Sequence, residues 1–191
     1  EIGSVSAWVS HGNPRPRLFR IPQDRGIVVY YGVPNEGADA VWARMTGQTY
    51  AVPIGINLVK TNDPARPAVE PDVYDDYAQA FERLQECSAY MVLNMSCPNS
   101  PGDRDFLDDL DKMQRLLRAV ARVKPRRPVF LKLKPTQDNG RLREIVAMAR
   151  ELPFVAGFGI NLAAGKPSFV KLVTPPAQLQ QMPGAVSGQP V

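Results

Sequence analysis

The sequence is poor in the residues that most often carry hydrolytic or metal chemistry: 191 residues contain two cysteines and one histidine. Cys87 and Cys97 do not make a disulfide framework, which fits a reducing compartment and a cytoplasmic location. The sole imidazole, His11, sits in a Pro/Gly-rich loop, so zinc sites and histidine-based triads find no support. Proton transfer is left to Cys, Ser, Lys, Tyr or a carboxylate. No apolar run approaches the ~20 residues of a membrane span, and the opening residues lack a signal-peptide pattern. Lys and Arg number 23 against 19 acidic residues, a net charge of +4. They are scattered apart from Arg15, Arg17, Arg20 and the run Lys124 to Arg127, without the interleaved aromatics of a nucleic-acid surface. No nucleic-acid partner is expected, whereas an anionic small ligand is permitted.

What is present suits one α/β core. Hydrophobic residues make up 44% and charged residues 22%, ordinary values for a globular chain. Nineteen prolines fall mostly between periodic segments, as loop punctuation. Glu1 to Ser6 alternates like a strand. Residues 12–35 form a proline-rich stretch in which Gly12 to Arg20 cannot be helical. Gly26 to Tyr31 is a short β-branched and aromatic run, a hairpin or an extended loop. Ala38, Val41, Trp42 and Met45 recur at helical spacing over 35–45.

From there strand and helix alternate. Apolar runs Ala51 to Ile56, Tyr90 to Leu93, Val129 to Leu131 and Val155 to Ile160 alternate with amphipathic helices expected over 72–84, 103–123 and 141–152. Asp103, Asp105, Asp108 and Asp109 suit the N-terminal end of the middle helix, and Arg118, Arg122 and Lys124 its C-terminal end. Each run ends at a polar residue: Asn57, Asn94, Lys132 and Asn161. Alternating βα units imply a parallel sheet with helices outside, and such sheets place ligands at the carboxyl ends of their strands. The stretch Ala89 to Gly102 shows this most plainly. An apolar strand delivers Asn94, Ser96, Cys97, Asn99 and Ser100 into a loop fixed by Pro98, Pro101 and Gly102. For Cys97 two readings stand side by side, an inert buried thiol or a site residue. Lys132 is likewise a surface lysine past a strand or a ligand group, and the asparagines are turn residues or ligands.

In these residues the chain resembles the dihydroorotate dehydrogenases. Glu1-Ile-Gly-Ser-Val-Ser6 and Gly12-Asn-Pro-Arg-Pro-Arg-Leu-Phe-Arg20 are similar to the opening segments of the quinone-using class. Gly55-Ile-Asn-Leu58, Asn94-Met-Ser-Cys-Pro-Asn-Ser-Pro-Gly102, Leu131-Lys132-Leu133 and Ser187-Gly-Gln-Pro190 follow in the family's order. The resemblance implies a (β/α)8 TIM barrel, one domain over 1–191, that oxidises dihydroorotate to orotate in pyrimidine biosynthesis by hydride transfer to FMN. Ser4, Asn57, Asn94, Lys132, Ile160 and Gly188 match FMN-binding positions, and Lys132 would stabilise the reduced ring. Asn94, Asn99, Ser100 and Asn161 match positions that bind the substrate. Cys97 takes the place of the catalytic base. A thiol with an ordinary pKa near ~8.5 is only slightly ionised at neutral pH, so the site lowers that value or the rate climbs toward alkaline pH. Arg20 and Tyr31 match the quinone path, implying quinone as electron acceptor.

The chain also departs from the family pattern. Cys at the base position is typical of the soluble class. The family's Asn-Arg-(Met/Tyr)-Gly-Phe-Asn reads Val29-Tyr-Tyr-Gly-Val-Pro34, and Thr-Asn-Thr-Thr reads Ile160-Asn161-Leu162-Ala163. A barrel of this kind takes about 250 residues. The match begins after the first strand and ends before the last two and the Gly-rich phosphate site. The expectation is an incomplete barrel that by itself binds FMN poorly. Peripheral membrane association is expected only if a further N-terminal segment exists. The alternative function is a divergent or non-catalytic paralogue that acts on another dihydropyrimidine-like ring or only binds a ligand.

Overall fold

The computed structural model describes residues 1–67, 72–96, 109–161 and 164–191. Five parallel strands form the main sheet: β1 (Ile2–Val5), β4 (Gly55–Leu58), β7 (Tyr90–Asn94), β8 (Val129–Leu133) and β9 (Val155–Ile160), hydrogen-bonded in that order. Between β1 and β4 come β2 (Leu18–Ile21), β3 (Gly26–Val29) and α1 (Gly37–Met45). A small ribbon of β5 (Asn62–Asp63) and β6 (Arg66–Pro67) follows β4. Then α2 (Asp72–Leu84), α3 (Leu110–Arg122) and α4 (Asn139–Arg150) alternate with the remaining parallel strands, and α5 (Pro176–Gln180) precedes β10 (Ala185–Gly188). This is an incomplete (β/α)8 barrel, with five neighbouring strands of the eight that close such a barrel.

The sheet has two unlike faces because alternate residues point to opposite sides. Ile56, Leu58, Met91, Leu93, Val129, Leu131 and Leu133 are buried beneath the helices in one apolar core. Helix α2 presents Val73, Tyr74, Tyr77, Ala80, Phe81 and Leu84 to that core at helical spacing and turns Asp75, Gln79, Glu82 and Arg83 outward. Helix α3 adds Met113, Leu116, Leu117 and Val120, and α4 adds Ile145 and Ala149. Asp109 and Asp138 cap α3 and α4, accepting from the N–H of Lys112 at 3.1 Å and of Arg141 at 2.9 Å. On the opposite face the ring of Tyr90 lies over Gly55, where an added Cβ would come within 2.0 Å of it. Phe130 meets Tyr90 edge-on at 5.6 Å and lies 3.2 Å from where a Gly157 Cβ would be. Glycines on two strands thus make room for rings on the two strands between them.

Three expectations need correction. The run Ala51 to Ile56 is not the strand: β4 spans Gly55–Leu58, because Pro53 has no N–H for a ladder, and Asn57 is within the strand. The described helix α3 begins at Leu110, with Asp109 extended as its cap, so Asp109 satisfies a helix end from outside. Strand β8 continues one residue past Lys132. For residues 26–31 the pairing decides the open alternative. β3 forms an antiparallel hairpin with β2, and β10 pairs along its other edge. Ile21, Val28 and Val186 make a second, small core there.

Candidate active site

The carboxyl ends of the parallel strands carry a connected cluster of polar side chains. Asn57 is its hub. Its Oδ1 accepts from Ser4 Oγ at 2.7 Å and from Asn94 Nδ2 at 3.2 Å, and its Nδ2 donates to Glu1 Oε1 at 2.9 Å. Asn94 Oδ1 accepts from the N–H of Ser96 at 3.3 Å and from its hydroxyl at 3.2 Å. Asn161 Nδ2 reaches back to the carbonyl and hydroxyl oxygens of Ser96, both at 3.3 Å. The amide orientations follow from chemistry: a carboxylate only accepts and a backbone N–H only donates, so Asn57 must offer its NH2 to Glu1, and Asn94 its carbonyl to Ser96. Lys132 stands beside this chain with Nζ 4.0 Å from Glu1 Oε1.

Register explains why these groups meet. Asn57 pairs with Gly3 and Val92, and Asn94 with Lys132, which pairs with Gly159. Asn94, Lys132 and Gly159 thus lie in one row across three strands on the face away from the helices. A cleft of about 360 Å³ opens on this face, with Glu1, Tyr90, Val92, Phe130, Lys132, Phe158 and Gly159 around it. A Cβ on Gly159 would meet nothing nearer than Lys132 Cγ at 3.9 Å, so the row is open there. The walls of the cleft are mostly apolar, with the Glu1 carboxylate and the Lys132 ammonium among them, and Asn57 and Asn94 stand at the neighbouring strand positions, paired with Val92 and Lys132; mostly apolar walls with a few placed polar groups suit a flat ring. A cationic donor, Lys132, set against the apolar walls of Tyr90, Val92, Phe130 and Phe158 fits a flat, carbonyl-bearing ring such as the isoalloxazine of FMN.

Further groups support the cluster. The hydroxyl of Tyr77 donates to the carbonyl of Asn94 at 2.8 Å. Burial pushes the Asp76 carboxyl above the ordinary carboxylate range, opposed by hydrogen bonds from Thr61 and Ala7 and by the charge of Lys60. Burial also pushes the Cys87 thiol up. Among the described residues no three His, Cys, Asp or Glu side chains gather as a metal site.

The structure brings Ser4, Asn57, Asn94, Lys132 and Asn161 together. It does not bring Ile160 and Gly188 into the same cluster. Ile160 is in register with Leu133, whose side chain points to the helix layer, and is 60% exposed. Gly188 pairs with Gly26 in the three-stranded sheet. Arg20 and Tyr31 belong to that sheet and the loop after it, with Arg17 stacked 6.0 Å from the Tyr31 ring centre. Cys97, Asn99, Ser100 and Leu162 lie outside the described residues. Sequence reasoning missed Glu1 and Tyr77. Tyr77 reads as one more apolar position on α2, and Glu1 meets Asn57 only through a contact 56 residues long. Asn35, also missed, accepts from the N–H groups of Ser6 and Gly37 and so ties the loop after β1 to the start of α1; an Asn two residues before a helix is its one local signal.

The family described as dihydroorotate dehydrogenase matches residues 1–191. A dihydroorotate dehydrogenase (quinone) from Mycobacterium sp. (strain KMS) is 37% identical over 192 residues, covering 100% of this chain and 51% of that protein. One of the same description from Mycolicibacterium vanbaalenii is 36% identical over 192 residues, with the same coverage. The chain therefore spans about half the length of the curated relatives it matches. Among solved structures, ligand-free DHODH from Eimeria tenella superposes with a TM-score of 0.73 at 22% identity, covering 100% of this chain and 57% of that one.

Proposed function

This chain belongs to the dihydroorotate dehydrogenase family, and from that premise we propose that the protein containing it oxidises dihydroorotate to orotate with FMN as cofactor and a quinone as final electron acceptor. The observation that carries the proposal is the cluster of Ser4, Asn57, Asn94, Ser96 and Asn161 with Lys132 at the carboxyl ends of parallel strands. The quinone is carried over from the mycobacterial relatives, which are quinone-type dihydroorotate dehydrogenases.

The chemistry FMN supplies when bound is acceptance of the hydride from C6 of the substrate. Ser4, Asn57 and Lys132 would hold that group, and Lys132 places a positive charge where negative charge develops. Asn94 and Asn161, together with Asn99 and Ser100, would hold the substrate ring through its amide edges. Cys97 would remove the proton at C5. Ser96, next in sequence, is bonded on both sides by Asn94 and Asn161, which anchors the backbone entering that position. Val29 carries no amide where the family pattern has Asn, so the substrate ring would depend on the remaining asparagines.

The test is anaerobic mixing of the FMN-loaded full-length protein with dihydroorotate. Rapid loss of the flavin's visible absorption, slowed about 10²- to 10⁴-fold by Cys97→Ala, is the expected result. Flavin demonstrably bound yet unbleached by dihydroorotate would overturn the assignment and favour a ring other than dihydroorotate.

A further inference from the structure

Helix α2 carries two adjacent buried side chains that reach three of the strands bearing the site. Asp76 is 4% exposed and Tyr77 fully buried. Neighbours on a helix point about 100° apart, so the two serve different partners. The Asp76 carboxylate accepts from the N–H of Thr61, from the Thr61 hydroxyl at 2.7 Å, and from the N–H of Ala7. Thr61 lies shortly after β4 and Ala7 shortly after β1. The Thr61 hydroxyl also accepts from the N–H of Trp8 at 3.3 Å. Tyr77 holds the last carbonyl of β7 through its bond to Asn94.

We propose that Asp76 and Tyr77 are positioning residues for the site: together they fix the carboxyl ends of β1, β4 and β7 relative to one another, so that Ser4, Asn57 and Asn94 meet in one hydrogen-bonded cluster. The identity of the ligand held by that cluster rests on the dehydrogenase reading; the positioning does not. Ser4, Asn57 and Asn94 come from three separate strands, and their bonds at 2.7 and 3.2 Å tolerate little displacement of one strand along another. In this arrangement position 76 only accepts: the N–H groups of Thr61 and Ala7 and the Thr61 hydroxyl all point hydrogens at it. An asparagine there would turn an NH2 toward one of them.

The test compares Asp76→Asn and Tyr77→Phe with Phe81→Leu, a core substitution on the same helix, at matched thermal destabilisation. The first readout needs no cofactor. The side-chain amide ¹H–¹⁵N signals of Asn57 and Asn94 shift in both α2 polar variants and hold their positions in Phe81→Leu. The second is FMN affinity of the full-length protein, weakened about tenfold in the polar variants and held within about twofold in the control. Tyr77→Phe removes a single oxygen and keeps the test open should Asp76→Asn not fold. Unmoved amide signals in Tyr77→Phe, or an equal disturbance in Phe81→Leu, overturn the proposal. Shifted signals in a protein that binds no FMN leave the positioning role standing and defeat the flavin assignment instead.

Discussion

At the scale of single residues, the site is an arrangement of groups with fixed donor and acceptor roles. The asparagines at strand ends are legible in sequence because each interrupts an apolar run. Glu1, Asp76 and Tyr77 are not, since their partners lie 56, 15 and 17 residues away and leave no local pattern. Asp76 also makes the fold pH-dependent in a direction opposite to that of an exposed, ion-paired carboxylate. Burial raises its folded-state pKa, so the folded chain binds this proton more tightly than the unfolded chain does. The associated stability is fully present below the ordinary value near ~3.9 and is lost as pH rises through the folded value. The unfolding free energy of the wild type minus that of Asp76→Ala should therefore decline with rising pH across that window, as measured by urea titration at successive pH values. A difference that grows with pH would show that the hydrogen bonds from Thr61 and Ala7 outweigh burial.

At the scale of elements, helix boundaries follow sequence where period and caps agree, and fail where another group claims the end. Helix α2 spans Asp72–Leu84 as its apolar period requires. The middle helix reads as starting at Asp103 because four aspartates suit a positive helix end, yet Asp109 is extended and caps the helix that begins at Leu110. Strand β4 is misjudged because Ala51, Val52 and Pro53 are apolar, yet Pro53 has no N–H with which to extend the ladder toward them. Its glycine carries a different kind of information: Gly55 is the space filled by Tyr90. Gly55→Ala should cost about 1–3 kcal/mol or more by overpacking, whereas Gly159→Ala, with only Lys132 Cγ at 3.9 Å, should change stability by about 0.5 kcal/mol or less. Chemical denaturation of both variants checks the contrast, and equal losses would mean that the two sites are not distinguished by ring packing.

At the scale of the whole molecule, five strands make a sheet with two outer members, β1 and β9. The second of these exposes apolar side chains: Phe158 is 39% and Ile160 60% accessible. Edges of this kind invite further strand pairing. The 191-residue chain prepared by itself should self-associate as its concentration rises, with little relief from salt, in light scattering or sedimentation; a monodisperse monomer across a hundredfold concentration range would contradict this. The barrel architecture is legible in the alternation of runs and helices. The closure of the hairpin by β10 is not, because nothing near Val28 announces Val186 as its partner.

That closure has a consequence for how the chain is made. The parallel strands can assemble in the order in which a ribosome delivers them, since each pairs with the one before it in the sheet. The hairpin cannot be completed so early. Asp24 waits for Thr174, 150 residues further on, and β3 waits for β10. At synthesis rates of about 5–20 residues per second, that interval is roughly 8–30 s. Throughout it, Ile21 and Val28 lack the cover of Val186, so the nascent hairpin is an apolar surface on offer to chaperones while the core behind it is already taking shape.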